Sequence, residues 1–169
     1  MEEIVNRVAN SPLISIDLEE YLHKGETVIF DLEQVLFQGM ILREKDFRDF
    51  IKTNDWALYE GKNVGLICSV DAIVPTWAYM LLTTKIKAFA NIVTFGSEDE
   101  VEKALIGQAV EKCLESQDFV GKKVVIKGCG DIQNLEYAYT LITEKLFPKV
   151  TSLMYGEPCS TVPIFKRKK

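Results

Sequence analysis

Residues 61–96 align on residues 121–156 at a constant offset of 60, without a gap. Ten pairs are identical: Gly61/Gly121, Lys62/Lys122, Val64/Val124, Asp71/Asp131, Ala78/Ala138, Tyr79/Tyr139, Leu81/Leu141, Thr83/Thr143, Lys85/Lys145 and Gly96/Gly156. At ordinary composition about two or three would coincide by chance. Leu66/Ile126, Leu82/Ile142 and Phe95/Tyr155 agree in character as well. The offset reads as two copies of one β-α-β unit, although two helices buried alike would also share Ala, Leu and Tyr at helical spacing.

The wider pattern agrees. Short apolar runs at 27–32, 63–68, 91–95, 123–127 and 151–155 are rich in Val, Ile, Leu or Phe and predict strands. Between them, 43–51, 75–88, 98–115 and 136–147 carry apolar residues at helical spacing. Residues 13–23 read as an amphipathic lead-in capped by Asp17. Strict alternation of this kind predicts an α/β fold. The expectation is a single layered domain over residues 1–169, with a mostly parallel sheet and helices on both faces. With 169 residues, 47% of them hydrophobic, the chain can bury a core. Both copies then place a loop, 68–74 and 128–134, at the carboxyl end of a strand, where open α/β sheets bind ligands.

Charge narrows the function classes. Twenty Lys and Arg against 25 Asp and Glu leave a net charge of −5, which argues against nucleic acid as the main partner. The acidic start, Met1-Glu2-Glu3-Ile4, lacks the basic-then-apolar pattern of a secretion signal. No apolar run approaches the roughly 20 residues of a membrane span. A cytoplasmic protein that does not engage membranes is expected.

Four cysteines are far apart in sequence. Cys68 and Cys129 follow predicted strands, and Cys159 comes just beyond the last one in Gly156-Glu157-Pro158-Cys159-Ser160. Cys113 lies within a helical pattern and reads as structural. If the first three met at one sheet edge, they would suit zinc, with Asp71, Asp131, His23 or water completing a tetrahedral site. No C-x-x-C pair supports this, and cysteine is also ordinary core filling. Cys129, between Gly128 and Gly130, is the best candidate for reactive thiol chemistry, but His23 is the only histidine available as a base. Asp71 and Asp131 fit turn or capping roles between strand and helix as readily as ligand roles. Gly128-Cys129-Gly130 starts like a dinucleotide fingerprint, yet Gln133 stands where its third glycine belongs. The aromatic and aliphatic residues Trp77, Tyr79, Leu82, Tyr137, Tyr139 and Ile142 read as helix packing, and Lys166-Arg167-Lys168-Lys169 as a basic tail.

Several stretches also resemble a known family. Asn6-Arg7-Val8-Ala9-Asn10-Ser11-Pro12-Leu13, residues 42–48, residues 68–82, Lys127-Gly128-Cys129 and residues 156–163 closely resemble the bacterial domain of unknown function 2480, essentially end to end. The family implies no activity. The resemblance places Cys68, Cys129 and Cys159 within shared blocks and Cys113 outside them, and it brings an association with iron-sulfur assembly or thiol metabolism. Two classes of function follow: a zinc-binding protein using Cys68, Cys129, Cys159, Asp71 and Asp131, or a non-catalytic protein-interaction module with structural cysteines. Whether the chain is an enzyme is left open.

Overall fold

The computed structural model describes residues 13–128 and 130–168. In chain order the strands and helices are β1 (Leu13–Ile16), β2 (Thr27–Asp31), α1 (Glu44–Thr53), β3 (Asn63–Ile67), α2 (Thr76–Ile86), β4 (Ile92–Phe95), α3 (Glu98–Ser116), β5 (Lys123–Ile126), α4 (Leu135–Leu146), β6 (Ser152–Glu157) and β7 (Ser160–Lys166). The fold is mixed α/β, as the alternation predicts. It divides into two compact units, a central one (His23–Leu105) and a terminal one built from the segments ending at Leu22 and starting at Ile106.

The central unit holds a parallel three-stranded sheet in the order β2-β3-β4. Its middle strand is buried from Asn63 to Leu66, and Val64, Gly65 and Leu66 are accordingly apolar or small. At Gly65 a Cβ would stand 2.4 Å from the Gly96 carbonyl, which leaves room only for hydrogen. Asn63 is the one polar residue fully buried among those described. Its amide donates to the Gly25 carbonyl and its oxygen accepts from Asn91 Nδ2, both at 2.8 Å, which ties together the starts of the strands. Phe30, Leu66, Phe47, Ile51, Ala78, Leu82 and Ile86 fill the core. On α1, Phe47 and Ile51 are buried while the neighbouring Glu44 and Arg48 stay exposed and pair at 2.8 Å.

In the terminal unit the order is β1-β5-β6-β7, parallel except for the final β6–β7 hairpin. Ala138, Ile142 and Leu146 of α4 pack with Val124, Ile126 and Leu153 of the sheet and with Ile106, Val110 and Cys113 of α3.

The structure corrects the single sheet. Residues 63–67 and 123–126 lie in different sheets, because each pairs with its own preceding strand, β2 in one case and β1 in the other. The loops after them therefore do not share one sheet edge. Sequence reading also misses β1, where four residues of the supposed lead-in are too short to show a period, and β7. Locally the offset of 60 is matched element by element. Gly61 and Gly121 have φ of 66° and 71°, and their amides donate to Phe89 and Lys149. Asn91 and Thr151 amides donate to Lys62 and Lys122, each at 2.8 Å. Common descent of the two stretches remains a proposal.

Candidate functional site

The carboxyl ends of the parallel strands are where a ligand site is expected, and each unit arranges them with related parts. In both, the first strand runs into an aspartate that caps a short 3₁₀ turn. Asp31 accepts from the Glu33 amide at 2.9 Å, and Asp17 from the Glu19 amide at 3.2 Å. The glutamate two residues on then reaches to the loop after the middle strand. Glu33 accepts from the Ser69 hydroxyl at 3.1 Å, and Glu19 accepts from the Asp131 amide. Asp31 additionally receives the Ser69 amide at 3.1 Å, while Asp17 lies 3.7 Å from the Lys127 ammonium. These carboxylates fasten loops by accepting from protein donors.

Titration follows from those contacts. Desolvation pushes the Asp31 carboxyl upward, but hydrogen bonds from Ser69 and from the Glu33 and Ser69 amides outweigh it and hold the group below its ordinary value. Tyr79 is raised by burial first, then by the nearby Cys68 and Asp31. Cys113 is raised by burial, partly offset by a hydrogen bond with Tyr21.

The residues singled out from sequence divide between the two units. Cys68 and Asp71 belong to the central unit, Asp131 and Cys159 to the terminal one, and Cys129 lies outside the described residues. Cys68 is half-buried against the central core and donates to the Val70 carbonyl at 3.4 Å. Cys159 is exposed at the tip of the β6–β7 hairpin, and Cys113 is fully buried. His23 accepts from the Gly25 amide at 3.1 Å through Nδ1, as a turn contact. Among the described residues, no three His, Cys, Asp or Glu side chains form a group able to hold a metal. Asp71 and Asp131 do not cap α2 or α4 either, since those helices begin at Pro75 and Asn134 without a side-chain cap.

A different feature of the terminal unit forms a concavity. Tyr139 on α4 and Tyr155 on β6 meet edge to face at 5.3 Å, with the Tyr139 hydroxyl donating to the Lys127 carbonyl at 3.0 Å. Beside this pair, Leu135, Glu136, Thr140 and Thr143 complete an open groove of about 570 Å³. Glu136 and Thr140 form a ridge, and across it Tyr137, Leu141 and Glu144 line a second groove of about 370 Å³. Of the six residues assigned to helix packing, Leu82 and Ile142 are buried and Trp77, Tyr79 and Tyr139 lean on their cores. Tyr137 departs from this, being 41% exposed on the groove. Sequence reading passes over Glu136, Thr140 and Glu144 because they look like any solvated helix face. The offset of 60 distinguishes the two glutamates, whose counterparts Thr76 and Thr84 are uncharged, and places Met80 where α4 has Thr140.

No helix is long and apolar enough to cross a membrane among the described residues. No curated protein and no solved structure matches the chain. The model of one family, described as a protein of unknown function (DUF2480), matches residues 2–167 of the 169, and the chain belongs to that family.

Proposed function

We propose that this protein is a non-catalytic interaction module that docks a partner on the outward face of α4. The observation that carries this reading is the pair of grooves flanking the Glu136/Thr140 ridge, which brings tyrosine rings, hydroxyls and two carboxylates to the surface of one rigid helix. Aromatic side chains with polar tips supply contact area at low entropic cost, and they are enriched in protein interfaces. Helix packing does not call for this chemistry. Ala138, Ile142 and Leu146 on the opposite face do the packing, and their counterparts Ala78, Leu82 and Ile86 are equally buried.

The cysteines fit a structural role in this reading, as Cys113 does in the terminal core and Cys68 against the central one. The zinc reading of Cys68, Cys129, Cys159, Asp71 and Asp131 draws its support from their turn positions at strand ends.

Selection of a displayed random peptide library on the full chain tests the docking reading. Peptides selected on the wild type are expected to lose binding to Thr140→Trp, which fills the ridge with an indole at an exposed position. Selected peptides that bind both proteins equally, or a selection yielding none, would overturn it.

A further inference from the structure

We infer that the α4 face takes an extended, cationic segment of a partner protein, with two Lys or Arg side chains four residues apart and an apolar residue between them; this rests on the docking reading above. Three observations converge. First, Glu136 and Glu144 flank the smaller groove, and neither has an ion pair or hydrogen bond among the described residues. They differ in this from the loop-fastening Asp31, Glu33 and Glu19, each of which has an oxygen engaged by a protein donor.

Second, the fold does not need them. In the central unit the same helix position carries Thr76 and Thr84, and α2 still buries Ala78, Leu82 and Ile86 as α4 buries Ala138, Ile142 and Leu146. At the same frame the exposed face of α2 presents Met80, 66% exposed, where α4 has Thr140. Two helices held in like fashion have outward faces of unlike charge, one neutral at Thr76, Met80 and Thr84, the other acidic at Glu136 and Glu144. What the frame leaves free is where a binding specificity is written.

Third, the spacing defines the occupant. Eight residues along a helix advance about 12 Å and turn about 80° past two full turns, so Glu136 and Glu144 stay on one side of α4 with Thr140 between them. In an extended chain, side chains four residues apart lie on one face about 13 Å from each other. Cations at those positions meet Glu136 and Glu144 together, and the side chain midway falls over Thr140 and Leu141, beside the Tyr137 ring. Lys145 is the one base on this helix, and it stands about 100° further round than Glu144. Ammonium or guanidinium groups gain both from the carboxylates and from the aromatic face. A partner segment of opposite charge is disfavoured by the same groups.

Binding of synthetic peptides to the full chain, followed by fluorescence anisotropy, tests this. The probes carry Lys-x-Leu-x-Lys, the same residues with the lysines adjacent, and Glu-x-Leu-x-Glu. The spaced cationic peptide is expected to bind tightest, weakening as salt is raised through the range where the Debye length falls from about 10 Å to about 3 Å. In Glu136→Thr/Glu144→Thr, which installs the residues α2 already tolerates, affinity should fall by about tenfold. Circular dichroism on that variant checks that it folds. Equal affinity for the double variant, or equal binding of the acidic peptide, would overturn the inference. Library peptides that distinguish wild type from Thr140→Trp but are not cationic overturn it while the docking reading stands. Self-association of the wild type that is abolished in the double variant would make the occupant the basic tail, 166–169, of a second copy, and would replace the partner named here.

Discussion

Tyr139 and Tyr155 sit edge to face with an interplanar angle of 81°, and Tyr79 and Phe95, sixty positions earlier, do the same at 5.5 Å and 79°. In each unit a helix ring is thereby fixed to the end of a strand ring, so the first turns of α2 and α4 are set relative to their sheets. A double-mutant cycle on Tyr139→Leu and Tyr155→Leu should give a coupling of about 0.5–1.5 kcal/mol in denaturant unfolding. Tyr139→Phe removes the hydrogen bond to the Lys127 carbonyl and should cost about 1 kcal/mol. A coupling near zero would show that the rings are merely adjacent.

Two glycines should respond oppositely to alanine. Gly107 lies within α3 in ordinary helical backbone, and a Cβ there meets nothing within 4 Å. Gly107→Ala should therefore stabilise the protein by about 0.5–1 kcal/mol. Gly121 also has open space for a Cβ, but its φ of +71° places an L side chain in the left-handed region. Gly121→Ala should cost about 1–2 kcal/mol, with no clash to blame. Urea midpoints at unchanged slope measure both.

The alternation of apolar runs and helical patterns was enough to place five strands and four helices, because each element buries a face with its own period. Sheet membership was not legible. Which strand pairs with β3 or β5 depends on β1 and β2, and Leu13-Ile14-Ser15-Ile16 is too short to declare itself. Without β1, the sequence pattern puts the Cys68 and Cys129 loops on one edge, whereas β3 and β5 belong to different sheets. The α4 groove was hidden for another reason: Glu136, Thr140 and Glu144 obey the polar-face rule that every surface helix obeys. Only the comparison with Thr76, Met80 and Thr84 marks them as a departure.

Acid should loosen the central unit through Asp31. Its folded value lies below the ordinary 3.8, so its stabilising contribution is fully present above about pH 4 and is lost as pH falls through the folded value. Asp31→Asn should lower stability at neutral pH and flatten the further loss below pH 4. Unfolding midpoints from neutral to acid pH decide this. A variant with the wild-type acid slope would show that the contacts with Ser69 and Glu33 carry no linkage.

Thiol reactivity should follow exposure, with Cys159 alkylated quickly in the native protein and Cys113 only on unfolding. The raised folded value of Cys113 means that its contribution is present below the ordinary 9.0 and is lost as pH rises above it. If the cysteines are structural, protein purified without added metal should hold well under one equivalent of zinc. About one equivalent, lost on replacing Cys68 or Cys159 with Ser, would restore the zinc reading.

β1 and β5 pair Leu13 with Lys123, so the terminal sheet cannot close until more than a hundred intervening residues have been made. All of His23–Leu105, by contrast, is available before β5 exists. During synthesis the central unit is free to fold while Leu13–Ile16 waits as an unpaired apolar strand. Late closure of so long a loop makes the terminal sheet the slow step. Pulse-labelled amide exchange during refolding should protect β2, β3 and β4 first, and β1 together with β5 last. That interval, when Leu13, Ile14 and Ile16 have no neighbour, is when the nascent chain is most exposed to aggregation and most in need of a chaperone.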